Sequence, residues 1–421
     1  MFLIWRAVAI STTMTTATNI LKEVYEPRVR DQLQSEVITI SRIEKTSEGV
    51  ATDSVGGKYV RFGVRVKRNH GIGSRNEMEA LPTPRTQQYA DAQVRLSYGY
   101  GAIQLSGQTF ELAESDVQAF ASVLDQEVEG IKEGLKKETN RQCYGTSQGV
   151  LAVAASGTTT TFVVSAATDL QYLEIGMFVD VYDATSTVVT PVLNNANIEI
   201  TNINTATLTV TLGSTVTAVA AGDFLVRNGS HQKEPVGFQQ IVAGLATTAT
   251  ALGTGTGDLY NITHATWTGN MDTTAGAISE GRILSMIDTI RTRGGRTTVG
   301  FTSLGVRRAY ANLLEQQRRY VNTTKFTGGF SGIAFTTDSG EIPIVSDFDC
   351  QAGRMYLLNE KELKIYRAAD WSWMNRDGNM WQRLIDSAGE YDAYRGRMFS
   401  YWQMGTHRRN SHGMITNIIE A

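Results

Sequence analysis

The chain has 421 residues, a formal net charge of −3, two cysteines, and 41% apolar against 19% charged residues. That length exceeds one ordinary core and predicts two or three domains, while the apolar share excludes global disorder. The near-neutral balance excludes nucleic-acid binding through the whole surface. Two cysteines, Cys143 and Cys350, with no CxxC exclude a disulfide framework and point to a reducing compartment.

The first ten residues are apolar but too few to span a bilayer, which needs about 20. They also lack the charged start and cleavage site of a signal peptide. Met14, before a polar run, is the expected native start. No later stretch is long and apolar enough to cross a membrane. Residues 15–45 read as an extended or partly helical arm, with Val29, Leu33 and Val37 at helical spacing.

KYVRFGVRV alternates apolar and basic residues at strand period, and Tyr98 to Leu105 reads as a second strand. Paired across the polar tip HGIGSRNEMEALPTPRTQQ, they make a long hairpin without a core of its own. Such an arm needs an apolar partner elsewhere, as on another subunit. Val117, Phe120, Leu124, Val128, Ile131 and Leu135 then predict a long helix over 114–142, opened by Ser115 and Gln118 as a capping box. Gly130 and Gly134 lower its stability, which suits close approach of a neighbouring backbone or local bending.

Residues 151–228 break into short threonine- and valine-rich runs (TTTTFVVS, GMFVDVYDA, NIEITNI, TATLTVTL, GDFLVRNG) with no lysine or arginine until Arg227. This rhythm predicts a small barrel or sandwich inserted between helical regions. Residues 229–278 read as loop. Ser279 and Ser303 each open a helix, and TTVGF, IPIVSD, RMYLLN and LKIYRA read as strands. The aromatic-rich end closes on a strand, GMITNIIEA.

No catalytic constellation stands out. The five histidines form no HxxxH or HExxH, and His407 and His412 are five apart, off one helical face. Gly253, Gly255 and Gly257 lack the Lys-Ser/Thr of a phosphate loop, and neither Ser303 nor Ser331 sits in GxSxG. Asp347, Asp349 and Asp370 read as flanks of strands and turns. A glycosidase pair distant in sequence stays open.

One charge pattern has more content. Lys58, Arg61, Arg65, Lys67, Arg68 and Arg75 occur with no acid between them, whereas the helix carries eight carboxylates, Glu127, Glu129 and Glu133 included, against three lysines. A basic hairpin on an acidic helix across a subunit boundary would set register and encounter rate. Two unrelated solvated faces, or phosphate contact by the hairpin, are the alternatives.

This order of pieces resembles the tailed-bacteriophage major capsid proteins of the Hong Kong 97-type fold. The segments VGFTSLGVRRAYANLLEQQRRYV and GEIPIVSDFDCQAGRMYLLNEKELKIYRAADWSW are its most specific part. The resemblance implies an α+β fold. It divides into an N-terminal arm (1–45), an extended loop (46–110), a peripheral-domain spine helix (111–150), an inserted β domain (151–228), an axial domain (229–370) and a C-terminal return (371–421). It also implies a structural protein that is no enzyme and takes no cofactor or metal. Copies would form hexamers and pentamers of an icosahedral shell, assembled in the bacterial host cytoplasm and retained in the virion. Portal and scaffolding proteins, a decoration protein and packaged double-stranded DNA, contacted non-specifically, are the implied partners; no membrane is involved. A nanocompartment shell of the same fold, a carbohydrate-active enzyme with an accessory β domain and a secreted adhesin are the rival readings.

Overall fold

The computed structural model describes residues 37–45, 50–51, 59–108, 117–183, 192–243, 259–262, 264, 266–316, 323–325, 331–337, 340–375, 381–386 and 389–420. The arm before residue 37, the proposed start at Met14, Lys58, the capping box at Ser115 and the glycine–threonine run at 253–257 lie outside them.

Among the described residues the first element is α1 (Thr39–Lys45), whose Ile40 and Ile43 are buried one turn apart in the main core. β1 (Val50–Ala51) leads to β2 (Val60–Lys67), which pairs antiparallel with β3 (Gln88–Val94). β4 (Ser97–Ser106) follows, then α2 (Val117–Tyr144). The hairpin therefore differs from the expectation. The partner of KYVRFGVRV is QYADAQV, and the Tyr98 strand instead pairs with the C-terminal β20 (Gly389–Thr406). Burial explains the exchange. Ile103 and Leu105 of β4 need a covered face, which the core-forming sheet supplies and an exposed hairpin does not.

β20 joins β4 along one edge, and β18 (Leu363–Trp373) and β19 (Trp381–Asp386) along the other, with β1 parallel to β18. α2 lies on this sheet because Gly101 of β4 admits it: a Cβ there would stand 3.0 Å from Leu135 and 3.1 Å from Ile131. Close approach thus falls on the strand's glycine. A Cβ at Gly130 or Gly134 of α2 would meet nothing within 4 Å among the described residues.

Six strands close a barrel in the order β10-β5-β6-β9-β8-β7. They are β5 (Val150–Gly157), β6 (Thr161–Val164), β7 (Phe178–Asp183), β8 (Val192–Asn204), β9 (Thr209–Leu212) and β10 (Phe224–Arg227). β5 escaped the sequence reading because LAVAASG is small and apolar throughout, without alternation. Phe162, Val179, Ile198, Ile200 and Val210 fill an interior cluster separate from the main core.

Residues 229–278 are less loop-like, where described, than their glycines and threonines suggest. They hold α3 (Phe238–Ala243), β11 (Asn270–Asp272) and β12 (Gly276–Ala277). α4 (Glu280–Thr292) is capped by the Ser279 side chain, which accepts from the Arg282 amide. After β13 (Val299–Thr302), α5 (Leu304–Gln316) begins at Ser303, whose hydroxyl accepts from the Val306 amide. β14 (Thr323–Lys325), β15 (Ser331–Thr337), β16 (Gly340–Ser346) and β17 (Met355–Leu358) complete a seven-stranded sheet with β21 (Gly413–Ile415), ordered β11-β21-β17-β13-β16-β15-β14. The single closing strand of the reading is in fact two, β21 and β22 (Ile418–Ile419), the latter paired with β12. Ile283, Met286, Ile287 and Ile290 of α4 pack with Val306 and Tyr310 of α5 as the core of this layer.

Candidate assembly interface

The hairpin is fastened at its base and free at its tip. Val60, Ala92 and Val94 belong to the main core. The Gln93 amide donates to the Tyr260 carbonyl at 2.9 Å, and the Thr266 hydroxyl to that of Val66 at 2.9 Å. So the base finds its apolar partner in its own chain. Beyond it, Ile72, Met78 and Leu81 are 84%, 100% and 85% exposed, which a lone subunit leaves solvated at a cost.

Strand alternation turns Phe62, Val64 and Val66 inward and Arg61, Arg65 and Lys67 outward. Arg61 stands 3.8 Å from Asp91 in a half-solvated pair of small worth. Arg75 is committed to the tip itself, donating to the carbonyls of Ala80 (2.8 Å) and Ser74 (3.0 Å). Arg65, Lys67 and Arg68 remain exposed. On α2, Glu129 and Glu133 share a face one turn apart, Glu129 exposed and Glu133 half-buried. Glu127 is exposed but lies about 200° round the helix from Glu129. Among the described residues, no ion pair joins the hairpin to α2 within the chain.

Sequence reasoning missed a buried polar junction where α1, α2, the barrel and the seven-stranded sheet meet. Asp347 accepts from the Thr39 amide (3.1 Å) and hydroxyl (2.6 Å), from Asn140 Nδ2 (3.1 Å) and from the Asp349 amide (2.9 Å). Asn140 Nδ2 also reaches Asp349 at 2.7 Å, and its Oδ1 accepts from the Ile40 amide at 3.2 Å. Tyr144 bonds the Thr39 hydroxyl, and the Tyr172 hydroxyl of the barrel donates to the Asp349 carbonyl at 3.0 Å. Burial pushes the Asp349 carboxyl up to about 6, against the Asn140 bond that favours its charge. The legible signal is that the apolar stripe of α2 runs on into Thr139 and Asn140, buried polar residues on a buried face.

A second buried chain of charge crosses the neck between barrel and body. Arg141 Nη2 lies 2.6 Å from Glu138 and 2.5 Å from Glu234, and Arg227 Nη2 3.2 Å from Glu138. Burial pushes Glu234 up, beyond what Arg141 recovers. Glu138, half-buried and flanked by Arg141 and Arg227, is held well below the usual carboxylate range. Arg141→Ala would leave Glu234 buried without its cation while Glu138 keeps Arg227, and is expected to destabilise the subunit by about 3–5 kcal/mol. Chemical denaturation checks it; an unchanged midpoint would show that the neck relaxes around the loss.

His412 is fully buried. Its Nδ1 accepts from the Asn359 amide (3.3 Å), so the proton sits on Nε2 and is donated to the Thr406 hydroxyl (2.8 Å). Burial lowers its pKa from 6.5 to about 3. The unfolded chain therefore takes the proton first. Stability from the neutral ring is complete above pH about 6.5 and falls toward pH 3 by up to about 1.4 kcal/mol per unit. His412→Gln is expected to flatten the acid limb of stability against pH; an identical limb would rule the ring out as its cause.

The comparisons bear on this architecture. Residues 228–418 match the family described as SU10 major capsid protein. No curated protein matches the chain. Over 97% of this chain and 99% of the other, the fold superposes on a protein of the cyanophage A-1(L) capsid asymmetric unit, with TM-score 0.56 and 16% identity. A protein of Gordonia phage Cozz (11% identity, 99% and 98% covered, TM-score 0.48) and the SrpI encapsulin of Synechococcus elongatus (8%, 97% and 96%, 0.47) superpose too loosely to carry an argument. The chain thus has the Hong Kong 97-type fold of phage capsid proteins, and its residues 228–418 match the SU10 major capsid proteins.

Proposed function

We infer that this chain is the major capsid protein of a tailed bacteriophage, a structural protein of the virion. The observation that carries this is the match of residues 228–418 to a major capsid family. A shell needs one chain to make many repeated contacts, each weak and jointly strong. In this reading copies form hexamers and pentamers around double-stranded DNA, with portal and scaffolding proteins as further partners. The hairpin reaches over a neighbour, where Arg65, Lys67 and Arg68 meet Glu129 and Glu133. Residues 1–45 strap beneath other copies. The closed barrel, with its separate core and polar neck, supports reading residues 151–228 as an insertion that a decoration protein could use. Electron microscopy of the purified protein tests the reading. Closed polyhedral particles are expected; a stable monomer with enzymatic turnover would overturn it.

A further inference from the structure

The chain's charge is unevenly spread, and the fold sharpens the division. Between residues 151 and 226 there are six carboxylates and no lysine or arginine, so the remainder carries a net +3 against the whole chain's −3. At one end of the axial layer two distant basic segments come together. Residues 289–297 hold Arg291, Arg293 and Arg296 with no acid, where α4 ends. Residues 407–411 bring Arg408, whose Nη2 donates to the Gly294 carbonyl at 2.5 Å, and Asn410, whose Nδ2 donates to the Arg293 carbonyl at 2.7 Å. All four arginines are exposed.

Helix capping explains only part of this. Cations favour the negative end of a helix, and one guanidinium edge of Arg293 is used on the Thr268 hydroxyl and the Gly269 carbonyl, both at 3.2 Å. Arg408 also lies 3.9 Å from Glu362, a loose contact. Capping does not call for three exposed arginines around one helix end with a fourth, Arg408, brought there from a second segment. A guanidinium with edges held by carbonyls keeps its charge and stays aimed, as a ligand with repeated anionic oxygens requires.

We propose that Arg291, Arg293, Arg296 and Arg408 form the surface on which the subunit contacts the phosphates of nucleic acid, without sequence preference, while the acidic barrel is the side that repels them. This rests on the capsid reading for its biological setting but not for its chemistry. Phosphate contacts release counterions, so each contact adds about 0.9 to the slope of log affinity against log salt.

The test titrates purified subunits with a short mixed-sequence duplex DNA across salt concentrations, with microscopy of shells from the same preparations. Arg293→Gln with Arg296→Gln is expected to flatten the slope by about 1.8, with shells still closing. Arg65→Gln with Lys67→Gln removes as much charge from the hairpin and should leave the slope alone. Replacement by lysine at 293 and 296 should restore most of it, which separates lost charge from lost folding. An unchanged slope in the axial variant, or equal flattening by the hairpin variant, overturns the proposal. So does failure of shells to close at unchanged slope, which would make the ridge a subunit contact. If the unaltered protein forms no shells, the capsid reading fails while the titration still decides the phosphate surface.

Discussion

Reversing Arg65 and Arg68 to glutamate is expected to stall assembly before shells close, while leaving the isolated subunit's melting temperature nearly unchanged. Both side chains are exposed at the outer end of β2, so within the subunit their substitution stays within about 0.5 kcal/mol. Across a boundary the effect differs in kind. Placing glutamates against Glu129 and Glu133 of a neighbour costs several kcal/mol per contact. That penalty recurs at each copy, and a shell held by many weak contacts loses them together. Glu129→Lys with Glu133→Lys should restore particles to the reversed hairpin. Normal shells from the reversed hairpin alone, seen by negative-stain microscopy, would remove the pairing.

The second large effect is expected at Asp347. Its carboxylate accepts from the Thr39 amide and hydroxyl, the Asn140 amide group and the Asp349 amide. Asp347→Ala leaves these donors buried and unmet, at about 1–3 kcal/mol each. Together that is a large share of the 5–15 kcal/mol, roughly, that holds a domain folded. The expected result is a strongly lowered thermal midpoint, with early proteolysis at α1, since Thr39 loses its tie to the axial sheet. Asp347→Asn keeps one acceptor oxygen but sets an amide against Asn140, so it should fall between. A midpoint unchanged in the alanine variant would show that water replaces the carboxylate.

Local pattern was legible and distant pairing was not. The period of Val128, Ile131 and Leu135 located α2, and Ser279 and Ser303 marked two helix starts, because spacing and capping act within one turn. Five of the six barrel strands, β6 to β10, stand out as short threonine- and valine-rich runs. The partner of β2 was misassigned because nothing near KYVRFGVRV says which strand lies beside it; that choice was made by Ile103 and Leu105, which need the cover of β20 and α2. Likewise Asp347 and Asp349 do flank a strand end, as their sequence suggests. Their value lies in Thr39 and Asn140, brought from roughly 310 and 210 residues away, and no spacing rule reaches that far. Of the charged candidates, Arg75 turned out to serve the tip's own fold and Glu127 to face away from its companions. Arg65, Lys67, Arg68 and Glu129 are exposed, and Glu133 is half-buried.

The position of β21 has a consequence for how the subunit comes into being. This strand, Gly413–Ile415, lies between β11 and β17, bonded parallel to one and antiparallel to the other. Until it arrives, β11 has no other partner among the described strands and β17 presents an unpaired edge. During synthesis the axial layer therefore waits, open-edged, while about 140 further residues emerge after β11. Such an edge is an invitation to wrong partners, and in a cell making many copies at once those partners are other unfinished chains. The same delay means that this sheet is complete only once residues 413–415 have emerged.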